Sequence, residues 1–252
     1  MQRQRILSTL ILLSSVLVPS QLRLLAFRAP GAAAINASPN HAAALTGKIR
    51  FEGALPKLQP IAMRSDPACS KEHPGPVHAQ DVLTGQDGAL ANVIVFIAEG
   101  IPNGNYDVPQ NTVRLEQKGC LYEPHVLAMR AGQTLTIVNN DGTAHNIHPM
   151  PSNNREWNKA QAPGQVIEEK FAREEVSIPV KCNIHPWMHS YIAVFKHPYF
   201  AVTGADGSFR FPNLPPGQYT IKAWHEKLGT VTQQVKISSL DSNKVDFVFK
   251  AH

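Results

Sequence analysis

Apolar and polar residues alternate at period two along short stretches of this chain, and turn residues close most of them. Leu135 and Ile137 alternate with Thr134 and Thr136; Tyr219, Ile221 and Ala223 alternate with Thr220 and Lys222; Val245, Phe247 and Phe249 repeat the pattern. Successive side chains of a strand point to opposite faces, so this spacing marks half-buried strands. Few stretches show the 3.6-residue period of a helix, and 20 Pro and 16 Gly punctuate the 252 residues. Short strands between turn signals predict an all-β protein built of sandwiches. No repeat long enough for a solenoid or propeller is present.

The first residues read differently. Two arginines within residues 1–5 precede an apolar run over residues 6–18, which Pro19 ends. A basic start followed by a short apolar segment is the pattern of a secretory signal. The run falls short of the ~20 residues of a membrane span. Residues 1–34 are therefore expected to be a signal peptide, cleaved after residue 30, leaving an exported (periplasmic or extracellular) protein with no membrane span. An uncleaved anchor is the alternative. The leader also skews the charge. The chain is +5, from 24 basic and 19 acidic residues, and four of those arginines lie in residues 1–34. Without them 20 basic residues face 19 acidic ones, so the folded part lacks the basic excess that nucleic acid binding needs.

The chemistry concentrates between residues 112 and 197. Cys182, His185 and Met188 form a Cys-x2-His-x2-Met cluster, and His145-Asn146 stands upstream, after the turn-forming run Asn139-Asn140-Asp141-Gly142. A thiolate, two imidazoles and a long axial thioether are the donors of a type 1 (blue) copper centre. Soft sulfur favours Cu(I) and imidazole suits Cu(II), so such a set accepts both oxidation states. Zinc is the weaker reading, since it gains nothing from Met188 and prefers a second nearby cysteine. His148, three residues after His145, is left outside the ligand set. His125 is assigned to the strand entering the sandwich, with a second metal site involving it as the lesser alternative.

These residues carry a resemblance. Tyr122, Pro124, the strand Val126 to Met129, Gly132, and the strand Leu135 to Asn139 ahead of His145-Asn146 resemble the cupredoxin family. The two-residue gap between His185 and Met188 is most similar to the amicyanin branch. The resemblance implies a Greek-key β-sandwich over residues 112–197 and one copper ion on His145, Cys182, His185 and Met188. It also implies that Asn146 braces the Cys182 loop, and that His185 shows its ring edge through an apolar patch of Pro149, Pro186 and Trp187 as the electron port.

Two cysteines remain. In an exported protein leftover cysteines usually pair, so Cys69 and Cys120 are expected to form a disulfide tying the loop around Asp66-Pro67-Ala68 to the copper domain. The rival is metal binding by either cysteine with His73, His78 or His125. Further on, Thr203-Gly204-Ala205-Asp206-Gly207 and Leu214-Pro215-Pro216-Gly217 resemble the carboxypeptidase regulatory-like (transthyretin-like, prealbumin-type) sandwich module. Residues 198–252 are few for an independent core, and strand patterns at residues 45–51 and 91–97 fit the missing pieces. The module is thus expected to be discontinuous, from residues 45–100 and 198–252, with the copper domain between; a single enlarged cupredoxin-like domain with decorating strands is the alternative. Trp224-His225-Glu226 is placed in a loop at a hairpin end.

The expected function is single-electron transfer by Cu(II)/Cu(I) cycling with a redox protein partner, an exported dehydrogenase or c-type cytochrome. Copper storage or delivery, or an envelope binding module whose regulatory-like sandwich contacts carbohydrate or envelope protein without redox turnover, is the alternative. A copper enzyme would need further His-x-His ligand pairs, and neither His-Glu-x-x-His nor Gly-x-Ser-x-Gly occurs.

Overall fold

A computed structural model describes residues 43–55, 57–238 and 243–251. The expected signal peptide lies outside the described residues. In chain order come β1 (Ala43–Glu52), the short helix α1 (Pro67–Lys71), β2 (Ile94–Glu99), β3 (Val113–Lys118), β4 (Leu121–Glu123) and β5 (Val126–Arg130). There follow β6 (Leu135–Asn139), β7 (His145–Pro149), β8 (Lys159–Gln161), β9 (Val166–Glu169), β10 (Glu175–Lys181) and β11 (His189–Phe195). The remainder are β12 (Phe200–Val202), β13 (Ser208–Leu214), β14 (Gly217–His225), β15 (Gly229–Ile237), β16 (Asn243–Lys244) and β17 (Phe247–Lys250). The protein is all-β, and no helix among the described residues is long and apolar enough to cross a membrane.

Four sheets make two sandwiches. One sheet runs β5-β11-β10-β7-β8 and another β4-β3-β6-β9. Between them lies a core of Leu115, Leu127, Met129, Leu135, Ile137, Ile178, Ile192 and others, all buried. The alternation explains this: on β6 Leu135 and Ile137 face inward while Thr136 is half-buried on the other face.

The second sandwich takes strands from both sides of the first. β1 pairs antiparallel with β13 and parallel with β16 and β17. The facing sheet runs β12-β2-β14-β15. Phe51, Val95, Phe211, Ile221, Phe247 and Phe249 fill the space between these sheets. On β14, Tyr219, Ile221 and Ala223 point into that core. Close approach sets Gly47: a Cβ there would lie 1.8 Å from the Val245 carbonyl oxygen and 2.5 Å from the Phe209 ring.

A third core joins the two sandwiches. Ile94, Val126, Ala193 and Phe195 are buried there, with Tyr191, Phe200 and Trp224 packed around them. Trp224 and His225 are therefore strand residues of β14 rather than loop residues. Their registers are fixed by pairing with β15 and, for Trp224, by Ile94 of β2. The polar segment around Cys69 is also more ordered than a loop. Asp66 caps α1, its Oδ1 accepting from Ala68 N at 2.8 Å and Cys69 N at 3.3 Å, with Pro67 at the first helical position.

Candidate metal centre

The loop after β10 closes on itself. Cys182 N donates to the Met188 carbonyl at 3.0 Å and Met188 N donates to the His185 carbonyl at 2.9 Å. These bonds turn Cys182, His185 and Met188 toward the interior, where they are 2 %, 2 % and 0 % exposed. His145 arrives on the first residue of β7 and is 0 % exposed.

Three donor atoms converge. His145 Nδ1 lies 2.9 Å from His185 Nδ1, and Cys182 Sγ lies 3.8 Å from His185 Nδ1. Met188 is buried in the same core as Cys182. Asn146 Oδ1 accepts from Asn183 N at 2.7 Å and lies 3.4 Å from Cys182 Sγ. His148 points away, bonded to Asn183 Oδ1 at 3.2 Å and Glu156 Oε1 at 2.7 Å.

Behind each histidine stands a carboxylate that the sequence did not flag. His145 Nε2 is 2.8 Å from Asp141 Oδ2, and His185 Nε2 is 2.9 Å from Asp66 Oδ2. Asp141 is itself fixed by accepting from Gly119 N at 2.6 Å and Cys120 N at 2.8 Å. Those two amides project from the β3–β4 turn, where Gly119 and Cys120 both take positive φ, 60° and 54°. With each Nε2–H given to a carboxylate, both Nδ1 lone pairs face each other. Such a pair is stable only with a proton or a metal ion between them. The donor set therefore fits a copper ion, with the carboxylates orienting the rings.

The titrations follow this geometry. Burial alone would raise the Cys182 thiol, but the hydrogen bond from His145 and the backbone amides of Asn146, His185 and Ile184 outweigh it and bring its pKa down to about 6. Burial works against a charged His145, yet Asp141 and Cys182 override it and lift its pKa to about 9. Both shifts favour the charged forms, a thiolate beside an imidazolium, in the metal-free site.

Cys69 and Cys120 are disulfide-bonded, and Cys182 is the free cysteine. His73 and His78 are engaged elsewhere, His73 Nε2 with the Gly119 carbonyl at 2.7 Å and His78 Nδ1 with that of Leu58 at 3.4 Å. The bridge straps the segment from residue 60 to 78 over the site. Met63, Cys69 and Cys120 form a small core with Ile61, Val77 and Trp187. Cys69 Sγ comes within 3.6 Å of His185 Nε2.

This corrects the expected electron port. His185 does not show its ring edge, because Asp66 and the strap cover it, and Pro149 is buried as well. Trp187 packs on the His185 ring at 5.1 Å and gives its indole N–H to the Cys120 carbonyl at 3.2 Å. What reaches solvent is Ile184, 52 % exposed, and Pro186.

Residues 191–250 match the carboxypeptidase regulatory-like domain family. The matched segment begins within β11, seven residues before the expected start at residue 198. Among solved structures, the chain is similar over 40 % of its length to a copper-containing nitrite reductase from Thermus scotoductus SA-01, at 20 % identity and a TM-score of 0.33. It spans about a quarter of that enzyme, 26 %. It is similar to a methionine-to-alanine mutant of amicyanin in the Cu(I) form, at 19 % identity, 97 % of that chain and a TM-score of 0.31. A purple cupredoxin from Nitrosopumilus maritimus matches at 30 % identity over 96 % of its chain, with a TM-score of 0.27. No curated protein matches.

Proposed function

We propose that this is an exported type 1 copper protein that carries single electrons, holding one ion on His145, Cys182, His185 and Met188. The observation that supports it is the convergence of two imidazole Nδ1 atoms and one thiol sulfur in a buried pocket, with both Nε2 atoms tied back to carboxylates. Copper there would alternate between Cu(II) and Cu(I), taking up and releasing one electron at a time. The chain's residues do the rest. Asn146 holds the Cys182 loop, Asp141 and Asp66 fix the imidazole orientations, and the apolar core excludes water. A site held this rigidly changes little between oxidation states. Residues 112–197 form the copper domain in this reading, and residues 45–100 with 198–252 form the regulatory-like sandwich, after a signal peptide at residues 1–34.

The protein acts as a carrier rather than a catalyst, with an exported dehydrogenase or c-type cytochrome as partner. Electrons enter or leave beside Trp187, Pro186 and Ile184, the segment next to His185 that reaches the surface. Copper storage or delivery is the second reading, and the near-complete burial of His185, at 2 % exposure, favours it. Visible absorption of copper-loaded protein tests the centre. An intense thiolate-to-copper band is expected, and Cys182→Ser abolishes it. A colourless copper complex, or a band that survives the substitution, sinks the proposal. Fast reduction and reoxidation of the loaded protein by a cytochrome c separates carrier from store.

A further inference from the structure

A second group of metal-binding side chains lies where the two sandwiches meet. His189 and Tyr191 share one face of β11, two residues apart, and look toward β14. His125 immediately precedes β5, whose Val126 is registered with Tyr191. Glu226 follows the end of β14, on the same side as Trp224. His125 Nε2 contacts Glu226 Oε1. His189 Nε2 lies 3.8 Å from Glu226 Oε2 and 3.6 Å from Asp81 Oδ1.

Three details set this group apart from an ordinary ion pair. First, the Glu226 side chain is 2 % exposed, and its Oε2 makes no hydrogen bond of normal geometry among the described residues, the Tyr191 hydroxyl being the neutral group that interacts with the carboxylate. A carboxylate at that depth is costly unless a cation answers its charge. Second, His189 Nδ1 is 3.0 Å from the Trp187 carbonyl, so Nδ1 carries a proton, and in the neutral ring the Nε2 lone pair faces the carboxylates. A carbonyl fixing the tautomer from behind is how proteins orient metal-binding histidines. Third, 3.6 and 3.8 Å are too long for hydrogen bonds. Two atoms each ~2.1 Å from a common ion stand roughly 3.4 Å apart at a tetrahedral angle, close to the His189 separations; His125 Nε2, in direct contact with Glu226 Oε1, would exchange that contact for the ion.

We propose that His125, His189 and Glu226 bind a divalent transition-metal ion of borderline softness, with Asp81 as the fourth donor. Two imidazoles and a carboxylate suit such an ion and exclude the hard, all-oxygen coordination of calcium or magnesium. Entry runs past His189 and Asp81, whose side chains are 35 % and 31 % exposed. Lys227 Nζ, 3.2 Å from Asp81 Oδ2, neutralises part of the excess negative charge. Tyr191 packs beside both histidines. The bound ion would pin β5 and β11 to β14, coupling one sandwich to the other.

Zinc is the probe. Full-length protein with its Cys182 site filled by copper is titrated with Zn²⁺ by calorimetry, and the zinc K-edge spectrum is recorded. One equivalent of zinc is expected, with nitrogen and oxygen neighbours and no sulfur. Glu226→Gln and His189→Ala should each weaken binding at least ~10-fold, while the copper band remains. His189→Ala guards against misfolding of the buried variant, because its side chain is the more exposed. No zinc uptake, sulfur among the zinc neighbours, or unchanged affinity in His189→Ala overturns the proposal.

Discussion

Replacing both Cys69 and Cys120 with alanine tests how the strap over His185 is held. The bridge joins residues 51 apart, which on the chain-entropy relation removes about 4 kcal/mol of freedom from the unfolded state. Both cysteines are 0 % exposed, and losing two buried sulfurs adds roughly 1–2 kcal/mol for lost packing. The sum, about 5–6 kcal/mol, rivals the entire stability of many domains. At about 2–4 °C per kcal/mol for a chain of this size, the midpoint should fall by roughly 10–20 °C. Thermal and urea melts of the parent and double variant, followed by circular dichroism without reductant, measure this. The variant should also surrender copper to a chelator faster, since Asp66 and the segment above His185 are no longer pinned. A loss below about 1 kcal/mol with unchanged copper release would refute the reasoning. The strap would then rest on its small apolar core and the Trp187–Cys120 hydrogen bond instead.

Asp141→Asn should destabilise the metal-free protein by about 1–3 kcal/mol, because one amide oxygen cannot serve Gly119 N, Cys120 N and His145 together; urea melts check this, and an NMR titration should show the His145 pKa falling from about 9. The pH dependence has two opposed parts. His145, raised from 6.5 to about 9, contributes stability that is full below pH 6.5 and lost as pH rises through about 9. Cys182, lowered from 9.0 to about 6, contributes stability that is full above pH 9.0 and lost as pH falls through about 6. In metal-free parent the two slopes offset each other, whereas Cys182→Ser removes the Cys182 slope and keeps the part of the His145 one that Asp141 causes, so its stability should fall as pH rises above 6.5; a variant as level as the parent in urea midpoints counts against the pairing. Met188→Leu should keep copper and raise the reduction potential, since a lost axial donor disfavours Cu(II); cyclic voltammetry showing a lower potential contradicts that.

Strand positions were legible because period-two alternation records which face is buried, as on β6 and β14. The Cys182 cluster was legible because its donors are close in sequence and chemically distinctive. The pairing of Cys69 with Cys120 followed from counting cysteines in a chain with one of the three already assigned. The carboxylates behind the histidines were not legible. Asp66 meets His185 across 119 residues, and nothing near either residue announces the partner. One signal was available: Asp66 followed by Pro67 marks a helix start, which would have replaced the loop with α1. The burial of His185 could not be read, because the family resemblance described a loop without the strap that covers it here. Glu226 was hidden for a related reason. A hairpin end looks solvated until the sheet it packs against is known.

The arrangement of β1 carries a consequence for synthesis. Lys48 N bonds to Asp246 Oδ1 across 198 residues, and Ile49 pairs with Phe247 on a strand parallel to its own. On a ribosome, β1 emerges long before either of its neighbours, while the residues between can already close their own sandwich. At about 5–20 residues per second the wait lasts roughly 10–40 seconds. Until then an apolar strand with Leu45, Ile49 and Phe51 has most of both edges bare, Leu90 N alone reaching the Ile49 carbonyl earlier, and is open to pairing with another nascent chain. A holdase on that stretch, or delayed folding until the whole chain is released, would protect it, so yield on overexpression should depend on chaperone supply more than on copper.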